Sequence, residues 1–90
     1  MRSKTTRRFR QLLAALPDPV QHQAQEAYAL FRTDPYHPSL HFKRISPSDP
    51  TLYSVRVGLR YRAIGTWTPD YMLWVWIGSH AEYDKLIERW

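Results

Sequence analysis

The sequence predicts an α+β domain: two N-terminal helices packed on an antiparallel sheet of about four strands, followed by a short C-terminal helix. Three observations carry that expectation. Apolar residues recur with helical spacing as far as Phe31, alternate with polar residues from Leu40 onward, and are punctuated throughout by clusters of proline, serine and glycine. A chain of 90 residues encloses one hydrophobic core and not two, so residues 1–90 are expected to form a single domain.

In the first segment Phe9, Leu12, Leu13 and Leu16 stand at i, i+3, i+4 and i+7, one face of a helix over residues 5–16. Pro17-Asp18-Pro19 ends it and opens a second helix, with Asp18 expected to cap its free amides and Pro19 in its first turn, where no donor is missed. Val20, Ala24, Ala27, Tyr28 and Phe31 keep the helical spacing until Thr33-Asp34-Pro35 stops it. Strands are expected over residues 40–45, 52–57, 61–67 and 71–77, joined by short turns that favour an antiparallel meander. Ser79 and Glu82 then match a capping box, in which each side chain satisfies an end-of-helix donor, and a helix over residues 80–89 follows.

Strand periodicity assigns the faces. Tyr53, Val55 and Val57 alternate with Ser54 and Arg56, and Tyr61 and Ala63 alternate with Arg62 and Ile64. Bringing Val55 and Val57 onto the side of Tyr61 and Ala63 takes an odd loop, Gly58-Leu59-Arg60, which makes Arg56 and Arg62 neighbours on the opposite face. Strict alternation in the last strand turns Leu73, Val75 and Ile77 toward the helices, with Val75 beneath Leu13, Ala27 and Phe31. It leaves Met72, Trp74 and Trp76 on the arginine side. With His41 and Lys43 added, that face interleaves cations with indoles, a combination suited to phosphates and splayed bases of single-stranded RNA. The alternative is that Trp74 and Trp76 are simply covered by the terminal helix or a partner.

Thirteen Lys and Arg against eight Asp and Glu give a net charge of +5, which favours polyanionic or acidic partners. The absence of cysteine excludes disulfides, Cys-based zinc sites and thiol nucleophiles, and fits a reducing cytoplasm. The apolar run Leu12-Leu13-Ala14-Ala15-Leu16 is too short for a secretion signal, and no segment approaches the ~20 apolar residues of a membrane span. His37 and His41 are four apart, but Pro38 prevents a helix between them, so no metal site and no cofactor is expected.

The ordered set Tyr53-Ser54-Val55-Arg56-Val57, Tyr61-Arg62-Ala63-Ile64 and Trp76-Ile77-Gly78-Ser79-His80-Ala81-Glu82-Tyr83 resembles the RelE/ParE toxin superfamily, nearest to its HigB-like and YoeB-like ribonuclease branch. The resemblance implies a RelE-like fold and the toxin of a type II toxin-antitoxin pair, which cleaves messenger RNA on the ribosome without a metal. It implies a cognate acidic antitoxin that adds a strand or lays a helix across Trp74 and Trp76. On this reading His80 is the general acid, Arg56 and Arg62 stabilise the charged transition state, and Tyr83 stacks on a base or bonds a phosphate. Lys43, His41, Trp74 and Trp76 bind RNA, with His41 ahead of Glu82 as general base. The basic start, Arg2, Lys4, Arg7, Arg8 and Arg10, is either a further clamp on RNA or a solvated helix face. Many members begin with a β-strand, whereas Met1 to Lys4 is too short and polar to predict one, so an open sheet edge is expected. A non-catalytic ParE-like toxin acting on DNA gyrase and a degenerate toxin that only binds its antitoxin are the competing functions.

Overall fold

The computed structural model describes residues 2–89. Its elements run β1 (Ser3–Thr5), α1 (Arg7–Ala14), α2 (Asp18–Thr33), a 3-10 turn (Pro38–Leu40), β2 (Lys43–Arg44), β3 (Leu52–Val57), β4 (Tyr61–Trp67), β5 (Met72–Ser79) and α3 (His80–Ile87). The strands lie in the order β1-β5-β4-β3-β2. The last four in sequence pair antiparallel, as expected, while β1 runs parallel to β5 and makes the sheet mixed.

The strand β1 corrects the sequence reading, although Met1 itself lies outside the described residues. Its pairing is made by main chain: Met72 N donates to Arg2 O at 3.0 Å and Thr6 N to Trp74 O at 3.1 Å. Such bonds need no apolar side chain, so three polar residues give no period to read. Thr6 then caps α1, its hydroxyl accepting from Phe9 N at 3.1 Å. The helix closes with tightened bonds from Ala15 N to Leu12 O and Leu16 N to Leu13 O, and Gln21 Nε2 donates to the free Leu16 carbonyl at 2.9 Å. Asp18 is the first helical residue of α2, not its cap. Pro17 stands at the N-cap with no side-chain bond, and Asp18 favours the helix through the charge at its N-terminus.

The expected first strand shrinks to Lys43–Arg44 because residues 38–40 form the 3-10 turn, begun by Pro38 and by Ser39 N donating to His37 Nδ1. The turn buries Leu40 and leaves His41 left-handed at φ 45°. Phe42 then stacks on Tyr53, ring centroids 4.7 Å apart, and anchors this segment to β3.

Helices α1 and α2 cover one face of the sheet. Phe9, Phe31, Leu40, Val55, Val57, Ala63, Met72, Trp74 and Ile77 form its buried core, with Leu12, Leu13 and Ala27 packed against it. The places of Met72, Trp74 and Val75 correct the alternation assumed above. A register shift between Ile64 and Gly65 pairs Ile64 with Trp76 and Gly65 with Trp74, which leaves Val75 unopposed as a bulge. The bulge reverses the faces of the residues before it. Met72 and Trp74 therefore point into the core, and Trp74 meets Phe31 edge to face with centroids 5.2 Å apart. Gly65 makes this possible: a Cβ there would lie 2.7 Å from Met72 Sδ and 2.8 Å from Trp74 Cε3. Trp76, beyond the bulge, stays on the arginine side.

Trp74→Ala is accordingly expected to destabilise the domain by about 3–5 kcal/mol, as for a large core aromatic. Trp76→Ala is expected to cost less than half as much. Urea unfolding followed by circular dichroism measures both, and strict alternation would make the two losses alike.

Candidate functional site

The register Arg56↔Arg62 and Lys43↔Ser54 places these four residues on the face opposite Val55 and Ala63, joined by the three-residue loop expected from the apolar matching. Helix α3 lies across this second face. Its Tyr83 is buried, and the phenol donates to Ser54 Oγ at 3.1 Å. Ser54 is fully buried, a position sequence reasoning passed over because a serine alternating with apolar residues reads as solvent-facing. Only the helix arriving from the other end of the chain encloses it.

Arg62 lies between them, 5% exposed. Its Nη1 makes two long contacts, 3.4 Å to Ser54 Oγ and 3.5 Å to His41 O, and its guanidinium carbon sits 5.3 Å from the centre of the Tyr83 ring. Its Nε is buried with no acceptor, and among the described residues it forms no ion pair. A buried cation with one face on an aromatic ring and no carboxylate is poorly compensated, because a guanidinium carries five donors and its desolvation is offset only by well-placed acceptors.

Arg56 is half-buried beside it. Its Nε donates to Gly58 O at 3.0 Å, and its Nη1 lies 3.4 Å from His41 Nε2. A guanidinium can only donate, so this contact leaves the lone pair on His41 Nε2. His41 thus touches both arginines, through its carbonyl and its ring, from a left-handed backbone that few residues other than glycine adopt.

His80 begins α3. Its main-chain N donates to Arg60 O at 2.7 Å, its ring centroid is 5.8 Å from that of Tyr83, and its Nδ1 is 3.1 Å from Asp84 Oδ2. The capping box foreseen from Ser79 and Glu82 forms: Glu82 N donates to Ser79 Oγ, and Ser79 N and Oγ donate to Glu82 Oε1 at 3.1 and 2.9 Å. Those bonds, the backbone one foremost, hold the Glu82 carboxyl below its ordinary range. A carboxylate so engaged is a poor proton acceptor.

Of the residues singled out from sequence, the structure brings His41, Arg56, Arg62, His80 and Tyr83 into one run of contacts. Lys43 is exposed nearby on the edge strand, and Trp76 lies over Gly78, the cross-strand neighbour of Arg62. Trp74 does not belong: it is 5% exposed in the core of the other face, which withdraws it as an RNA-stacking residue. Arg2, Lys4, Arg7, Arg8 and Arg10 are exposed, with Arg10 turned back onto Thr5 and Lys4 over the Tyr71 ring.

Comparison with known proteins agrees with this architecture. The model of the ParE-like toxin domain matches residues 18–85. A search of curated sequences gives no match. Among solved structures, a chain of the RelB-RelE antitoxin-toxin complex from Methanococcus jannaschii superposes with a TM-score of 0.72 at 14% identity, over 91% of this chain and 95% of that one. YafQ from E. coli strain BL21(DE3) gives 0.73 at 12% identity, over 92% and 98%. The archaeal RelE-RelB complex from Pyrococcus horikoshii OT3 gives 0.68 at 20% identity, over 87% and 92%. By the family model and the fold together, this chain belongs to the ParE-like toxin domain family, within the RelE/ParE toxin superfamily.

Proposed function

We propose that this chain is the toxin of a type II toxin-antitoxin pair and acts as a metal-independent endoribonuclease on messenger RNA, on the ribosome. The observation that carries the reading is Arg62, a buried guanidinium with no carboxylate partner among the described residues, bordered by Arg56 and by two histidines. A phosphodiester entering there supplies the missing acceptors. In the transesterification that follows, Arg56 Nη1 turns from His41 Nε2 to the phosphate, the freed Nε2 takes the proton of the 2′-hydroxyl, and the oxygen so exposed attacks phosphorus. Arg62 and Arg56 stabilise the added charge, and the bond to the 5′-oxygen breaks as His80 delivers a proton to it. Lys43 and Trp76 hold the flanking nucleotides, and Tyr83 positions Arg62 from beneath. The match to a ParE-like domain favours one second reading, a non-catalytic toxin acting on DNA gyrase, which has no need of His80.

The same reading assigns a cognate antitoxin. Two of the structural neighbours were solved in RelB-RelE complexes. With Trp74 in the core, the surface offered to that partner is not the tryptophan stripe but an apolar groove of about 290 Å³ between the helices and the sheet. Phe9, Leu13, Ala27, Tyr28 and Val57 line it, and Lys4 stands among them next to the basic α1. An acidic amphipathic helix complements both features. Tyr28→Ala is expected to weaken antitoxin binding by about 10-fold, as for an interface aromatic, while leaving RNA cleavage unchanged. Titration with the product of the neighbouring gene measures the first, and its failure to bind removes the pairing.

Substitutions at Arg62, His80 and Tyr83 test the site. Arg62→Met is expected to leave stability unchanged or raise it, because an apolar side chain of similar length replaces an uncompensated cation. Phosphate is expected to raise the Tm of the parent protein, and Arg62→Met to abolish that rise. His80→Ala is expected to slow cleavage of ribosome-bound messenger by about 10²-fold with RNA affinity nearly unchanged. Arg62→Lys should restore only part of the Arg62→Ala loss, since an ammonium lacks the planar fork. A folded His80→Ala, Tyr83→Phe protein with full toxicity and normal cleavage would end the nuclease reading, and a gyrase supercoiling assay then decides the second.

A further inference from the structure

We propose that Asp84 is a positioning residue for His80: its carboxylate holds the Nδ1 edge of the imidazole, so that Nε2 is the one ring atom presented to substrate. The proposal deepens the nuclease reading and rests on it. Asp84 follows His80 by one helical turn, and its Oδ2 lies 3.1 Å from Nδ1. An ionised carboxylate accepts and does not donate, so the contact requires the proton on Nδ1. In the neutral ring Nε2 then carries the lone pair; in the cation it carries the proton that leaves with the 5′-oxygen. Whichever form is present, the exchange happens at one atom in one place.

The rest of the residue is already fixed. The main chain of His80 is tied to Arg60 O, and its ring edge rests against Tyr83, which is itself held by Ser54 and Arg62. These contacts set where the ring lies, and the bond to Asp84 sets which nitrogen faces out. The groups around the ring leave that task to Asp84. Glu82 is occupied by Ser79, the Tyr83 hydroxyl is spent on Ser54, Arg62 lies behind the Tyr83 ring, and the β3–β4 turn offers a main-chain carbonyl already bonded to His80 N. Stability does not account for the pair. The two side chains are 50% and 57% exposed, where an ion pair adds little, and α3 has its own capping box. Asp84 escaped the sequence reading because a histidine and an aspartate four apart on a helix normally describe a solvated surface pair.

The experiment combines ¹⁵N-resolved spectra of the His80 ring with cleavage of ribosome-bound messenger by the full chain. In the parent protein the neutral ring should carry its proton on Nδ1, and in Asp84→Ala the Nε2–H form should take over. Cleavage by Asp84→Ala at saturating RNA should fall by at least about 10-fold with RNA affinity unchanged, because the acid group is present but misdirected. Asp84→Glu, which reaches the same nitrogen, should recover most of the rate. In a His80→Ala background Asp84→Ala should have no further effect. An Nδ1–H ring that persists in Asp84→Ala, or an equal loss of rate with and without His80, overturns the proposal while leaving the nuclease reading intact. A folded His80→Ala protein that cleaves normally overturns that reading and this proposal together.

Discussion

The second face of the sheet is governed by a cation that the fold buries without neutralising. Arg62 has no carboxylate among the described residues and an Nε with no acceptor, and its compensation inside the protein is two long contacts and the Tyr83 ring. Charges act more strongly where water is excluded, so the field of Arg62 reaches the surface little screened. Everything near it follows that constraint. Tyr83 is presented by its ring, Ser54 is turned to receive both the phenol and the guanidinium, and the chain at His41 takes a left-handed turn that aims a carbonyl inward. Three separate segments converge on one side chain, and the same convergence brings two histidines to its rim.

The two faces do different work. Beneath α1 and α2 the contacts are apolar, and Phe31, Trp74 and Ile77 are almost completely sealed. On the other face the sealed residues include Ser54 and Arg62, and the C-terminal helix is held there partly by polar bonds. Burial of apolar area stabilises the first face without direction, whereas the second face gains orientation at the expense of stability. The bulge at Val75 lets one strand serve both, since it sends Trp74 into the core and keeps Trp76 beside Arg62.

Much of this was legible in the sequence. The hairpin register followed from matching Val55 and Val57 to Tyr61 and Ala63, because a shift by one residue would have turned Arg62 toward the apolar face. Ser79 and Glu82 announced their capping box because that pattern is local. What escaped was non-local. Met72 and Trp74 were put on the wrong face by counting alternate residues through a bulge, although Gly65 in the middle of a strand was a sign of close approach. β1 pairs through main chain alone, and Ser54 and Asp84 acquire meaning only when α3 folds back. The site residues other than Trp74 share one face, but the burial of Arg62 and the strained turn at His41 belong to tertiary structure and leave no mark in composition.

The pairing of β1 with β5 also orders events in time. Ser3 meets Met72 only after every intervening element has been synthesised, and closing so long a loop makes this among the slower contacts to form. Strand β5 runs directly into α3, so the segment that finishes the sheet is continuous with the one that delivers His80 and Tyr83. A nascent chain that has reached β4 already holds Arg56 and Arg62 yet lacks the helix that encloses them. Enclosure of the cationic centre therefore waits on α3, which follows the strand that carries the sheet to its β1 pairing and brings Tyr83 onto Ser54.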